Sequence, residues 1–101
     1  MTFAELEAAR RLFDLPERAT LREIKARHRA LVKRFHPDAG GTAEAEPIRR
    51  INTAYRVLAE YCAGYRFSFC REEFYEQQPE ERLREQFAQD PVWGGGEGRQ
   101  G

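Results

Sequence analysis

Apolar residues recur three or four positions apart over the first two thirds of the chain, the period of helices that each bury one face. Phe3, Leu6, Ala9, Leu12 and Phe13 are the first such set and predict a helix from residue 3 to about 13. Thr2 and Glu5 stand before it at the spacing of a capping box, in which each side chain reaches a backbone N–H that the first turn leaves unpaired. A second box, Thr20 with Glu23, opens the stripe Leu21, Ile24, His28, Leu31, Val32 and Phe35 and predicts a helix over 20–35. Ile48, Ile51, Tyr55, Leu58 and Cys62 make a third stripe. Its helix starts near Glu44, so that Pro47 falls in the first turn where its missing donor is tolerated, and it stops at Gly64. No stripe is stable alone, so the pattern calls for helices packed on one another.

The breaks between stripes carry their own information. Pro16 ends the first helix, Asp14 is suited to a left-handed cap, and Leu15 is expected in the core. Pro37 stops the second helix, because its ring pushes His36 out of the α region and its nitrogen carries no proton. Gly40-Gly41 completes that turn. Beyond Gly64 the helical period lapses. Tyr65, Phe67 and Phe69 alternate, which predicts an extended segment laid against the helices with its aromatic rings in the core. A helical turn is expected over 72–77, and Pro79-Glu80-Glu81 opens a last helix with Leu83 and Phe87 on one face and Asp90-Pro91 at its end. Trp93 is expected to anchor this extension, and residues 94–101 have nothing to bury and are expected to be disordered.

Charge changes this picture. Lysines and arginines number 17, as do aspartates and glutamates, so the chain is formally neutral. The distribution is uneven: between residues 21 and 35 six cations face Glu23 alone, whereas between 71 and 90 three arginines meet seven acids. Arg22, Lys25, Arg29 and Lys33 share the face of the second helix opposite its apolar stripe, with Arg27 and Arg34 beside it. A solvated helix face normally mixes signs, since like charges three or four apart repel, so this one suits an anionic partner. Asp38, a carboxylate, follows at the tip of the cationic rod.

Other chemistry is sparse. Nothing resembles a nucleophile with its base, a phosphate-cradling loop after a strand, or a metal-ligand cluster, and no enzymatic activity or cofactor is expected. Cys62 and Cys70 fit no zinc spacing and read as buried, reduced thiols. His28, on an apolar stripe, reads as a core histidine. With no apolar run of membrane length and no signal peptide, a cytoplasmic location is expected.

The basic helix, Phe35, the tripeptide His36-Pro37-Asp38 and the third helix with Ile48, Ile51, Ala54-Tyr55 and Leu58 together resemble a J domain, the module of DnaJ-type co-chaperones. Leu12-Phe13-Asp14-Leu15 resembles the end of that family's first helix, so the likeness runs from residue 3 to about 61. It departs at Asp14, where glycine is usual, at His28, where tyrosine is common, and at Ala30, a frequent basic position for which Arg27 stands by. The family's short basic fourth helix has no counterpart. The resemblance implies an all-α fold in which the second and third helices form an antiparallel hairpin and the first packs across it. It divides the chain into a J domain over 1–64, an atypical extension over 65–93 packed on that domain, and a tail over 94–101.

The resemblance also implies a partner, a DnaK-type (heat-shock 70 family) chaperone whose ATP hydrolysis the domain speeds. Asp38 would meet a cation on the ATPase side, Pro37 would fix the loop, and His36 would hold its backbone. Arg22, Lys25, Arg27, Arg29, Lys33 and Arg34 would meet an acidic surface of the chaperone. The chain is expected to be a monomer, to bind no metal, nucleic acid or membrane, and to reach a client or recruiting protein through the extension. Two rivals stand beside this reading: a nucleic-acid-binding domain with one basic helix, which the neutral total charge opposes, and an adaptor without ATPase stimulation, which would not need Asp38.

Overall fold

The computed structural model describes residues 1–35 and 46–89. Among them are five helices and no strand: α1 (Phe3–Leu12), α2 (Leu21–Phe35), α3 (Glu46–Ala63), α4 (Arg71–Gln77) and α5 (Pro79–Gln89). The all-α class expected from the pattern is the one observed. Contacts divide the chain into two units, Met1–Tyr65 and Arg66–Gly101. The expectations placed on His36, Pro37, Asp38, Gly40-Gly41, Glu44, Asp90-Pro91, Trp93 and the tail lie outside the described residues.

Both capping boxes form. The Thr2 N–H donates to Glu5 Oε1 at 3.0 Å and the Glu5 N–H returns to Thr2 Oγ1 at 3.1 Å. In α2 the Thr20 N–H donates to Glu23 Oε1 at 2.7 Å and the Glu23 N–H to Thr20 Oγ1 at 3.1 Å. Each box settles two donors that the helix leaves orphaned and fixes where its apolar stripe begins. At the other end of α3, the Gly64 N–H donates to the Glu60 carbonyl at 3.1 Å and the helix closes.

In the first unit α3 is the central element, with α1 and α2 both packed on it. The core is Ala9, Phe13, Leu15, Ile24, Ile48, Ile51, Ala54 and Leu58, supported by Leu6, Leu31, Val32, Tyr55, Val57 and Cys62 at its margin. Phe13, at 1% exposure, is its most deeply buried large side chain. The stripe of α2 is buried only in its middle, since Leu21 and Phe35 at the two ends are exposed. His28 was expected in the core but is only half-buried, at its margin: its ring stacks on Tyr55 at 4.1 Å between centroids and lies parallel to Phe13 at 6.2 Å.

The turn after α1 is held by two guanidinium groups. Asp14 adopts φ 53°, the left-handed conformation that ends a helix and that aspartate tolerates better than most residues. Arg10 Nη1 donates to the Leu15 carbonyl at 2.7 Å, and Arg27 Nη2, from α2, donates to the Asp14 carbonyl at 3.0 Å. Arg10 is itself oriented by Glu7, which takes bonds from its Nη2 at 2.7 Å and from Arg11 Nε at 3.1 Å.

The second unit contains α4 and α5, which pack on each other. Pro79 occupies the first position of α5 with Glu80 and Glu81 in the first turn, as expected. Tyr75 joins the helices: its hydroxyl bonds Glu85 and accepts from Arg71 Nη1 at 3.2 Å. The bond to Glu85 holds the phenol in its protonated form and pushes its pKa up.

Two expectations are corrected here. Tyr65, Phe67 and Phe69 are 55%, 71% and 94% exposed, so none is a core side chain; the three helices and Leu15 already complete the core without them. Of the two thiols, Cys62 is half-buried but Cys70 is exposed at the cap of α4, where Ser68 Oγ donates to its sulfur at 3.2 Å and lowers its pKa.

Two predictions test this packing. Phe13→Ala removes a ring in contact with three elements and should cost about 3–5 kcal/mol in urea unfolding; a loss under 1 kcal/mol would mean that the site is not the centre of the core. The second concerns pH. The bonds from Arg10, then from Arg11, lower the Glu7 pKa from 4.5 to about 2. A depressed carboxylate stabilises the fold above its unfolded pKa, so this contribution should fade as pH falls from about 4.5 to 2. Glu7→Gln should flatten that part of the stability profile, and an unchanged profile would place the acid sensitivity elsewhere.

Candidate docking site

The geometry of α2 sorts its cations into two kinds. Arg27 is a structural group, tied to the Asp14 carbonyl and at 3.3 Å to the Asp14 carboxylate. Arg34 lies over the ring of its neighbour Phe35, with its guanidinium carbon 5.2 Å from the centroid. Arg22, Lys25, Arg29 and Lys33 are exposed, and none has a carboxylate partner among the described residues. Of the six α2 cations singled out from sequence, α2 therefore gathers four on its outer face and turns Arg27 toward α1. Lys33 and Arg34 suit the negative end of the helix, but Arg22 stands in the first turn, where the helix field opposes it.

This outer face is built by what lies behind it. Ile24 is buried against the core, and His28, one turn later, brings Nε2 to 3.0 Å from Asn52 Oδ1 on α3, a pairing in which the ring N–H donates to the amide oxygen. The stripe sets the rotation of α2 and the His28 contacts set its register, so Arg22, Lys25, Arg29 and Lys33 point to solvent together. His36, Pro37 and Asp38 follow α2 directly in sequence and lie outside the described residues. The role of Arg27 escaped the sequence reading, although a helix cation thirteen residues after a helix-capping aspartate was its visible signal.

The described residues contain no group of three His, Cys, Asp or Glu side chains able to hold a metal ion. No described helix is long and apolar enough to cross a membrane. The helical module presents a row of cations, without acidic partners among the described residues, on the helix immediately ahead of His-Pro-Asp in sequence. Modules of this class are interaction domains of the J type. The DnaJ domain family model matches residues 11–61, half of the chain, and the chain belongs to that family.

Relatives match over the same region. A DnaJ-like protein, the MG002 homolog of Mycoplasma pneumoniae, is 46% identical over 63 residues, which cover 56% of this chain and 20% of that protein. Chaperone protein DnaJ of Caldicellulosiruptor saccharolyticus is 45% identical over 51 residues, or 48% of this chain and 13% of that one. Chaperone protein DnaJ 2 of Thermus thermophilus is 38% identical over 50 residues, 48% and 18% of the respective chains. These matches thus reach a fifth or less of the relatives' length. No solved structure gives a significant match.

The like-signed row has a measurable consequence for the free chain. Lys25→Glu or Arg29→Glu replaces two like-charge neighbours by two attractive ones, and either should stabilise the isolated chain by roughly 0.5–1 kcal/mol at low salt. Thermal melts at two salt concentrations decide it. Destabilisation by both would mean that these side chains support the fold.

Proposed function

We propose that the chain is a co-chaperone that docks on the ATP state of a DnaK-type chaperone and stimulates its ATP hydrolysis. The observation that carries this reading is the row Arg22, Lys25, Arg29 and Lys33, exposed and without acidic partners among the described residues, on the helix that leads in sequence into His36-Pro37-Asp38. Membership of the DnaJ domain family and relatives named chaperone protein DnaJ support it.

In this mechanism the chain supplies no reacting atom. The cations steer the domain onto an acidic surface of the chaperone, and each exposed pair adds up to about 1 kcal/mol, less as salt rises. Asp38 then competes for a cation of the ATPase side and releases a latch between the chaperone's domains. Pro37 keeps the loop in shape, and His36 holds its backbone by hydrogen bonds. Arg27 and Arg34 contribute to the field, with Arg27 held by Asp14. The reading has the chain act in the cytoplasm as a monomer, with residues 65–93 as the part that meets a client or recruiting protein.

Single-turnover ATP hydrolysis by DnaK, with and without the full chain, tests the proposal. The wild-type chain should accelerate turnover. Asp38→Asn or His36→Gln should abolish the acceleration with helicity and melting unchanged, and Lys25→Glu should weaken it through affinity. Full stimulation by Asp38→Asn would sink the reading.

A further inference from the structure

A second helix borders the cationic face. The contacts of His28 with Asn52 at 3.0 Å and with Tyr55 at 4.1 Å fix the register of α2 on α3. In the hairpin of a J fold these helices are antiparallel. One turn back along α2, from His28 to Lys25, is therefore one turn forward along α3, from Asn52 to Arg56.

Rotation agrees with register. At about 100° per residue, with Ile24 turned inward, Lys25 and Arg29 fall on one flank of α2 and Arg27 on the other. The Arg27 flank faces the end of α1, through Asp14. The same count on α3, with Ile51 and Leu58 inward, sets Asn52 and Arg56 on the flank nearest His28. Lys25, Arg29 and Arg56 thus share one side of the seam, and all three are exposed.

Arg56 also lacks what structural arginines of this chain have. Arg10 pairs with Glu7, Arg27 with Asp14 and Arg49 with Glu46. Arg56 has no ion pair among the described residues, although Glu60 stands one turn away on its own helix.

We propose that Arg56 belongs to the docking surface, so that the partner's carboxylates are read across the α2–α3 seam rather than along α2 alone. This rests on the docking reading above and specifies its partner. Packed helices lie about 8–10 Å apart, so the matching acidic patch must be broad enough to reach both. A narrow acidic ridge that matches only the α2 row would leave Arg56 unused.

The affinity of the full chain for ATP-bound DnaK at low salt decides the matter. Arg56→Glu should weaken binding about fivefold, comparably to Lys25→Glu, and both losses should shrink as salt rises. Arg56→Gln, which removes charge without reversing it, should fall between wild type and Arg56→Glu, and it keeps the test decisive if the reversal harms folding. Wild-type affinity for both Arg56 variants beside a weakened Lys25→Glu would overturn the seam and leave the docking reading intact. A wild-type chain that fails to bind DnaK would remove both.

Discussion

Phe13 is the side chain on which the arrangement of the first unit depends. It caps α1, is almost wholly buried, and lies parallel to both His28 of α2 and Tyr55 of α3. One ring therefore touches all three helices at the point where the chain must leave α1. The turn that follows is dictated by that burial. To keep Phe13 inside and bring Leu15 back to the core, the backbone reverses at Asp14 through a left-handed residue. The reversal exposes two carbonyls to no helical partner, and Arg10 and Arg27 supply their hydrogen bonds. Core packing thus explains a strained residue, and the strained residue explains two arginines.

That division of labour among arginines connects fold to function. Arg10 and Arg27 complete backbone bonding and are withdrawn from any partner to that extent. Arg22, Lys25, Arg29 and Lys33 complete nothing within the described residues. Neighbours of like sign repel along a helix, and α2 tolerates the repulsion because Ile24, His28, Leu31 and Val32 hold its other face on α3. A face that weakens its own helix is understandable when an acidic partner takes up the charge. The same logic makes the surface salt-sensitive, since every contact it offers is exposed.

Much of this was legible in the sequence, for reasons that differ by residue. The capping boxes at Thr2 and Thr20 and the apolar stripes are local or periodic, and local rules located α1, α2 and α3 closely. Asp14 and Leu15 were legible because Pro16 leaves the chain few ways to turn. The bond of Arg27 to Asp14 was not legible because the two are thirteen residues apart, and pairing at that distance depends on how two helices cross. Tyr65, Phe67 and Phe69 were misassigned to the core because alternation reports a repeating backbone, not the presence of a surface to cover it. Cys70 failed in the same way: a small apolar residue is usually buried, but this one caps a short helix in an exposed segment.

The two units rest on different physics, and this bears on how the chain divides its work. The first has a core from three helices and one turn residue, so its surface charges can be arranged for a partner without loss of the fold. The second has no fully buried side chain among its described residues. Its two helices are joined by polar contacts, with Tyr75 bonded to Arg71 and Glu85 and the Arg82 guanidinium carbon 5.9 Å from the Tyr75 ring centroid. Exposed polar contacts of this kind contribute little each, so the second unit is expected to open at lower free energy than the first. In the first unit the exposed charges of α2 stand on a packed core, which fixes their spacing. The second unit, whose aromatic residues Phe67, Phe69, Phe74 and Phe87 are exposed, has no such buried core among its described residues to fix its surface.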